Sequence, residues 1–360
     1  MITVTKTFLP PQEEYQAILS RAWDAGWITN RGVLVKELEE KLKTYLGVPN
    51  IIATTNGTLP LQIAIKALGL TGEIITTPFS YVATTSSIVW ENCKPVFVDI
   101  HPDYFTIDES LIEAAVTDRT TAILATHVFG NPCNVEAIEK IAVKHNLKVI
   151  YDGAHCFGVT YKGTSIFNFG DVSTCSFHAT KLFHTGEGGA IFCGDANLSQ
   201  KLYFHHNFGH DGPDKFKGIG INAKMSELQA ALGLAVFVYI NTLITGRKKV
   251  FQYYYERLVE EKNIRLLKIR PETELNYSYF PVIFENEEVC LKVKQRLEKL
   301  YIYPRRYFYP SLNLMDYAEG DSCLIAENYS TQILCLPMYH DLSAESQEFI
   351  ILIIQQVLNE

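Results

Sequence analysis

The chain has no cysteine pair two residues apart, no run of basic residues and no long uninterrupted apolar stretch. Each absence removes a class of function. Its eight cysteines, at 93, 133, 156, 175, 193, 290, 323 and 335, are scattered through apolar runs. A disulfide framework or a zinc site needs clustered, regular spacing, so reduced buried thiols and no metal are predicted. Lys and Arg number 32 against 40 Asp and Glu, a net charge of −8, which disfavours a nucleic-acid partner. The longest apolar run, "FIILIIQQVL" at 349–358, is too short for a bilayer and reads as a buried helix, so no membrane partner is expected. The opening "MITVTKTFLPPQEEYQ" lacks a charged segment followed by an apolar one, so a secretory signal is not expected and the predicted location is cytoplasmic. A G-x-G-x-x-G dinucleotide turn is also missing: after the first strand the chain reads "NGTLPL", which excludes a nicotinamide enzyme.

What is present is alternation. Seven strand candidates stand at 51–55, 74–77, 95–99, 121–126, 148–152, 173–177 and 189–193, most of them apolar on both faces. Helical patterns such as "LPLQIAIKALGL" (59–70) and "NVEAIEKIAVKHN" (134–146) separate them, which predicts an α/β domain with a mostly parallel, seven-stranded sheet. The last two strands are joined by a short turn with no room for a crossover helix. From 223 to 262 the pattern is helical. A smaller α+β unit follows, with strands at 278–284 and 333–338 and helices at 287–300 and the C-terminus. The predicted division is a large domain over 1–240 and a small C-terminal one over 241–360.

Ligands of open α/β sheets bind at the carboxyl ends of strands, and four ends here carry chemistry. Asn56, Gly57 and Thr58 open a helix with N–H groups, a hydroxyl and the positive end of the dipole, which suits a phosphate and equally suits plain capping. Asp152 ends the fifth strand, with Ala154 and His155 behind it; it either caps a turn or pairs with a cation. Ser176 and Lys181 lie in "SFHATKLFHTGEGGAIF", where lysine is rare unless paired or functional. Desolvation lowers an ammonium's pKa and frees the amine as a nucleophile. Phe79 and Tyr81 end the second strand and fit either a core or a ring-stacking role. Together, an anion cradle, an aromatic, an acid and a lysine match what pyridoxal 5′-phosphate requires.

From "WITNRGVLVKELEEKLKTYLGV" through "TTNGTLPLQIAIKALGL", "YDGAHCFGVTYKG", "GDVSTCSFHATKLFHTGEGGAI" and "GINAKMSELQAALGL", the chain resembles the DegT/DnrJ/EryC1/StrS sugar aminotransferases nearly end to end. The resemblance implies the type I, aspartate-aminotransferase-like fold, with pyridoxal phosphate bound in the large domain. It implies that Lys181 is the Schiff-base lysine and Asp152 the partner of the ring nitrogen. Phe79 would stack on the ring and Ala154 would cover its other face. Gly57, Thr58 and Ser176 would hold the phosphate, His155 would stand near the phenolic oxygen, and Asn222 would reach the neighbouring subunit's phosphate in a homodimer. Thr29, Asn30, His184, Arg305, Arg306, Tyr307 and Tyr309 are the implied substrate contacts. His127 is read as structural. Family dehydratases replace the lysine by histidine, so the intact Lys181 implies transamination. The turn Glu187–Gly188–Gly189–Ala190 resembles members that work at C4. L-glutamate and dTDP-4-keto-6-deoxy-D-glucose are therefore the implied substrates, in surface-polysaccharide (O-antigen, lipopolysaccharide) synthesis. A 3-keto sugar, a GDP- or UDP-linked sugar and a non-catalytic regulator on the same fold are the alternatives.

Overall fold

The computed structural model describes residues 1–318 and 320–360. Its centre is one sheet of seven strands: β1 (Ile51–Thr54), β2 (Glu73–Thr76), β3 (Lys94–Phe97), β4 (Thr120–Thr126), β5 (Lys148–Asp152), β6 (Val172–Ser176) and β7 (Gly189–Phe192). Their spatial order is β1-β7-β6-β5-β4-β2-β3. The run β3-β2-β4-β5-β6 is parallel throughout, and β7 is antiparallel to both of its neighbours. All seven expected strands form. The reversal of β7 follows from the short turn 177–188, which leaves the chain no length for a crossover.

Side-chain alternation buries both faces. Ala53, Ile75, Ile123, Val149 and Phe192 meet Leu34, Leu38 and Leu42 of the helix Val33–Leu46 on one side. Ile52, Ile74, Leu124, Ile150 and Ile191 meet Leu61, Ala64 and Ile65 of the helix Leu59–Ala67 on the other. With apolar cover on both faces, the polar ends of the strands are the one place where the sheet can offer chemistry.

The helical stretch expected over 223–262 is two helices, Glu227–Phe237 and Ile240–Leu258, bent by 61°. The second carries the chain to an antiparallel sheet of β8 (Ile264–Leu266), β9 (Phe280–Phe284) and β10 (Ile333–Leu336), with β9 in the middle. β8 escaped sequence reading because its partly exposed "IRL" lies among charged residues. Ile2–Thr3, also unanticipated, pairs in parallel with Ile302–Tyr303 and ties the N-terminus to this region. The C-terminal helix Ala344–Leu358 buries Ile350, Ile351, Ile353, Ile354 and Val357 but leaves Phe349 and Leu352 about half exposed. It is thus buried along one face only. Among the described residues no single helix is long and apolar enough to cross a membrane. All eight cysteines are buried and free.

Candidate active site

The tips of β1, β5 and β6 converge on a cavity of about 250 Å³, closed from the other side by residues of the C-terminal unit. Lys181 sits on the β6–β7 turn. That turn is fixed by backbone bonds from Phe177 to the Gly188 carbonyl (2.8 Å) and from Ala179 to the Gly186 carbonyl (2.7 Å). The next residues, Leu182 and Phe183, are buried, and Phe183 stacks on Phe157 at 4.4 Å, so the apolar anchor fixes where the lysine stands. The Gln229 side chain, at the start of the helix Glu227–Phe237, donates to the Glu187 carbonyl (2.7 Å) and the Thr55 carbonyl (3.1 Å). Gly189 has to be glycine: a Cβ there would lie 2.3 Å from the Asn56 carbonyl oxygen. The glycine pair therefore lets β7 start flush against the tip of β1.

Desolvation by burial holds the Lys181 ammonium below the ordinary lysine range. Among the described residues its amine has one hydrogen-bond partner, the Tyr279 hydroxyl at 3.4 Å. Asp152 ends β5 with its carboxylate buried. It accepts from the Thr84 hydroxyl at 2.7 Å and from the Ala154 N–H at 3.1 Å. Burial pushes this carboxyl up; those two donors and the nearby Lys181 charge pull it back. Thr84 is itself held by Ser80 (2.7 Å), which meets Thr126 at 3.0 Å, so a buried chain of hydroxyls aims the donor. A carboxylate so placed awaits a cation.

The anion cradle is narrower than the sequence suggests. Asn56 Oδ1 accepts the N–H groups of both Thr58 and Leu59 at 2.9 Å, so the capping reading holds for those two. What remains is the Gly57 N–H with the hydroxyls of Thr58 and Ser176. A Cβ on Gly57 would lie 2.8 Å from that of Ser176, so the cradle closes only around glycine. His155 also lines the cavity. Its Nδ1 accepts from the Phe129 N–H (3.2 Å), which leaves the proton on Nε2 as a donor, and burial holds the ring neutral.

Gly57, Thr58, Asp152, Ala154, His155, Ser176, Lys181, Arg305 and Tyr307 line this one cavity, as their shared assignment requires. The other expected residues do not. Phe79 is fully buried behind the wall, edge-on to Phe105, Phe129 and Phe308, so its ring faces no ligand. Tyr81 lines the cavity instead. It stands at the N-cap of the helix Val82–Trp90, outside the packed turn, which is the local signal that separates it from Phe79. His184 is buried and spent on the Phe8 carbonyl (2.7 Å). Arg306 is committed to Glu287 (2.7 Å) and the Thr331 carbonyl (2.9 Å), with its guanidinium 3.6 Å from the Tyr309 ring centre. Arg306 and Tyr309 line a second cavity of about 470 Å³, whose wall shares Tyr81, Arg305, Tyr307 and Phe308 with the first. Thr29, Asn30 and Asn222 are exposed and line neither cavity. His127 is buried against Tyr151 with Nδ1 accepting from the Cys133 N–H, as expected of a structural residue. Tyr279 and Phe308 were not anticipated; they arrive from the C-terminal unit, and no local pattern marks them.

A desolvated amine, a buried carboxylate and an anion cradle around one cavity make a site for carbonyl–amine chemistry on a flat, anionic molecule. The chain belongs to the DegT/DnrJ/EryC1/StrS aminotransferase family, whose model matches residues 11–355. It is 41% identical to a dTDP-4-amino-4,6-dideoxy-D-glucose transaminase of Shigella dysenteriae over 99% of both chains. It is 38% identical to one of Escherichia coli, over 96% of this chain and 95% of that one. Among solved structures, DesI in the presence of its TDP-sugar product superposes with a TM-score of 0.94 at 30% identity, covering 100% of this chain and 93% of that one.

Proposed function

We propose that the protein is a pyridoxal phosphate-dependent aminotransferase that moves the amino group of L-glutamate to C4 of dTDP-4-keto-6-deoxy-D-glucose. The observation that carries the reading is the buried Lys181 amine beside Asp152, above a cradle only glycine permits at position 57. The relatives' transaminase activity supplies the sugar.

The residues fit the cofactor. When bound, pyridoxal phosphate supplies an electron sink that makes an amino acid's α-proton removable and carries nitrogen between substrates. Gly57 N–H, Thr58 and Ser176 hold its phosphate. An ionised Asp152 would keep the ring nitrogen protonated, Tyr81 and Ala154 would cover the ring faces, and His155 Nε2–H would donate to the phenolic oxygen. Lys181 would anchor the cofactor, and its free amine would take and return the migrating proton. Thr84→Val removes a donor to Asp152 and leaves a buried carboxylate short of a partner, at a cost of about 1–3 kcal/mol. Titration of the empty protein should show pyridoxal phosphate binding weakened roughly tenfold.

Arg305 has no carboxylate partner among the described residues and stands 4.9 Å from the Tyr307 ring, on the rim shared by the two cavities. We assign it, with Tyr307 and Tyr309, to the sugar nucleotide's diphosphate and base; Arg306 is already neutralised. Arg305→Ala should raise KM for the nucleotide sugar roughly tenfold, with the glutamate half-reaction within about twofold of wild type. A panel of 4-keto and 3-keto sugars on dTDP, GDP and UDP, assayed with glutamate, tests the substrate. Faster amination of a 3-keto isomer would remove the C4 assignment and leave the aminotransferase reading in place.

We also infer a homodimer. Ile28, Phe216, Ile219, Ile221 and Leu228 are exposed beside Thr29, Asn30 and Asn222. The Ile28 carbonyl accepts from the N–H of Glu227, the neighbour of Leu228, and Asn222 is bridged to Asn207. Packing this strip on a second copy hides its apolar surface and gives the three polar residues a route to the other cavity. Sedimentation at assay concentration should show a dimer, and an active monomer would contradict it. Eight buried free thiols fit a reducing cytoplasm, where such sugars would be made for surface polysaccharide.

A further inference from the structure

We propose that Tyr279 is a catalytic residue of this site: its hydroxyl holds the free Lys181 amine in line for the proton it takes and returns. The inference rests on the aminotransferase reading above and adds a residue from the C-terminal unit to it.

The Tyr279 hydroxyl stands 3.4 Å from Lys181 Nζ and is that amine's one hydrogen-bond partner among the described residues. The ring is buried and lines the reaction cavity, 4.7 Å from the His155 ring and edge-on to Tyr307 at 5.6 Å. A lysine amine on four methylenes has many rotamers, and a base that wanders loses the alignment proton transfer requires. A phenol suits both protonation states. It donates to the lone pair of the neutral amine and accepts from the ammonium once the proton has moved. Burial pushes the Tyr279 phenol well above its ordinary range, so it stays a neutral O–H and does not compete as the base.

The segment carrying Tyr279 is fixed far more firmly than packing requires. Asn276 Nδ2 donates to the His155 carbonyl (2.8 Å) and the Phe157 carbonyl (2.9 Å). The Ser278 hydroxyl donates to the same His155 carbonyl at 3.0 Å. From the helix Ile240–Leu258, the buried Arg247 spends its guanidinium on the carbonyls of Ser278 (3.1 Å) and Met338 (3.2 Å). No carboxylate among the described residues pairs with that guanidinium. Burying an arginine on carbonyls alone costs stability, and here the return is a phenol held at one spacing from the lysine.

Tyr279→Phe keeps the ring and removes the hydroxyl. In the expected result the empty variant still captures pyridoxal phosphate on Lys181, seen by borohydride reduction and peptide mapping, but the visible band grows in several-fold more slowly than in wild type. With the loaded enzyme, kcat falls by on the order of tenfold to a hundredfold in both half-reactions. KM values stay within about twofold, and the isotope effect with α-deuterated glutamate rises. A purely structural role would leave that isotope effect unchanged. If kcat, capture rate and isotope effect all match wild type, Tyr279 has no such part. Failure of the wild-type protein to capture the cofactor on Lys181 would instead overturn the underlying reading. A thermal midpoint within a few degrees of wild type shows that the variant is folded.

Discussion

Lys181→Ala should stop turnover, by about 10⁴-fold or more, while the protein still binds pyridoxal phosphate. The two effects separate because the cradle and the ring partner belong to other strands. Gly57, Thr58 and Ser176 sit at the tips of β1 and β6, and Asp152 ends β5. What disappears is the covalent anchor and the base that moves the proton, which no neighbour replaces: His155 has Nδ1 occupied by Phe129, and the Tyr279 phenol holds its proton. The burial that depresses Lys181 adds a pH signature. An amine with a lowered pKa stays neutral to lower pH than an ordinary lysine. Cofactor capture by the empty wild-type protein should therefore fall off only as pH drops through that depressed value. Stopped-flow absorbance at a series of pH values measures it.

Asp152→Asn is expected to be the second most damaging change. In the empty site the carboxyl is pushed up by burial, and a ring cation brought against it reverses that shift. An amide of the same shape has one acceptor oxygen where Asp152 uses two, so it keeps the Ala154 N–H and needs the Thr84 hydroxyl to turn and accept, and it cannot hold a proton on the ring nitrogen. Removing one member of a buried charge pair costs about 3–5 kcal/mol, so turnover should fall by roughly 10²-fold to about 5 × 10³-fold. The variant should stay folded, because the Thr84 hydroxyl can turn to accept from the new amide N–H while the remaining oxygen keeps the Ala154 N–H. Circular dichroism and half-reaction kinetics together check this.

The sheet was legible because its strands, such as 51–54 and 148–152, are short runs apolar on both faces, bounded by turn residues and separated by segments of helical period. Lys181, Asp152 and Ser176 were legible for a related reason: polar residues at the carboxyl end of buried strands have few structural uses. Phe79 and Tyr81 show where that reasoning stops. Both end the same strand, and only the path of the turn decides that Phe79 enters the core and Tyr81 the cavity. Arg305 and Arg306 differ the same way, because Glu287 on another element claims one of them. Tyr279 depends on a contact between residues 98 positions apart in the chain, and sequence pattern carries no information at that range.

An aminotransferase of this kind moves nitrogen from an amino acid to a keto sugar, and an isotope label follows that atom. The most direct measurement is to incubate the purified, cofactor-loaded protein with ¹⁵N-labelled L-glutamate and dTDP-4-keto-6-deoxy-D-glucose, then follow the label by mass spectrometry and NMR. The predicted result is a dTDP-linked 4-amino-4,6-dideoxy sugar carrying ¹⁵N on C4, with one 2-oxoglutarate formed for each amine. Unlabelled sugar returned intact, with glutamate unconsumed although Lys181 holds the cofactor, would contradict it.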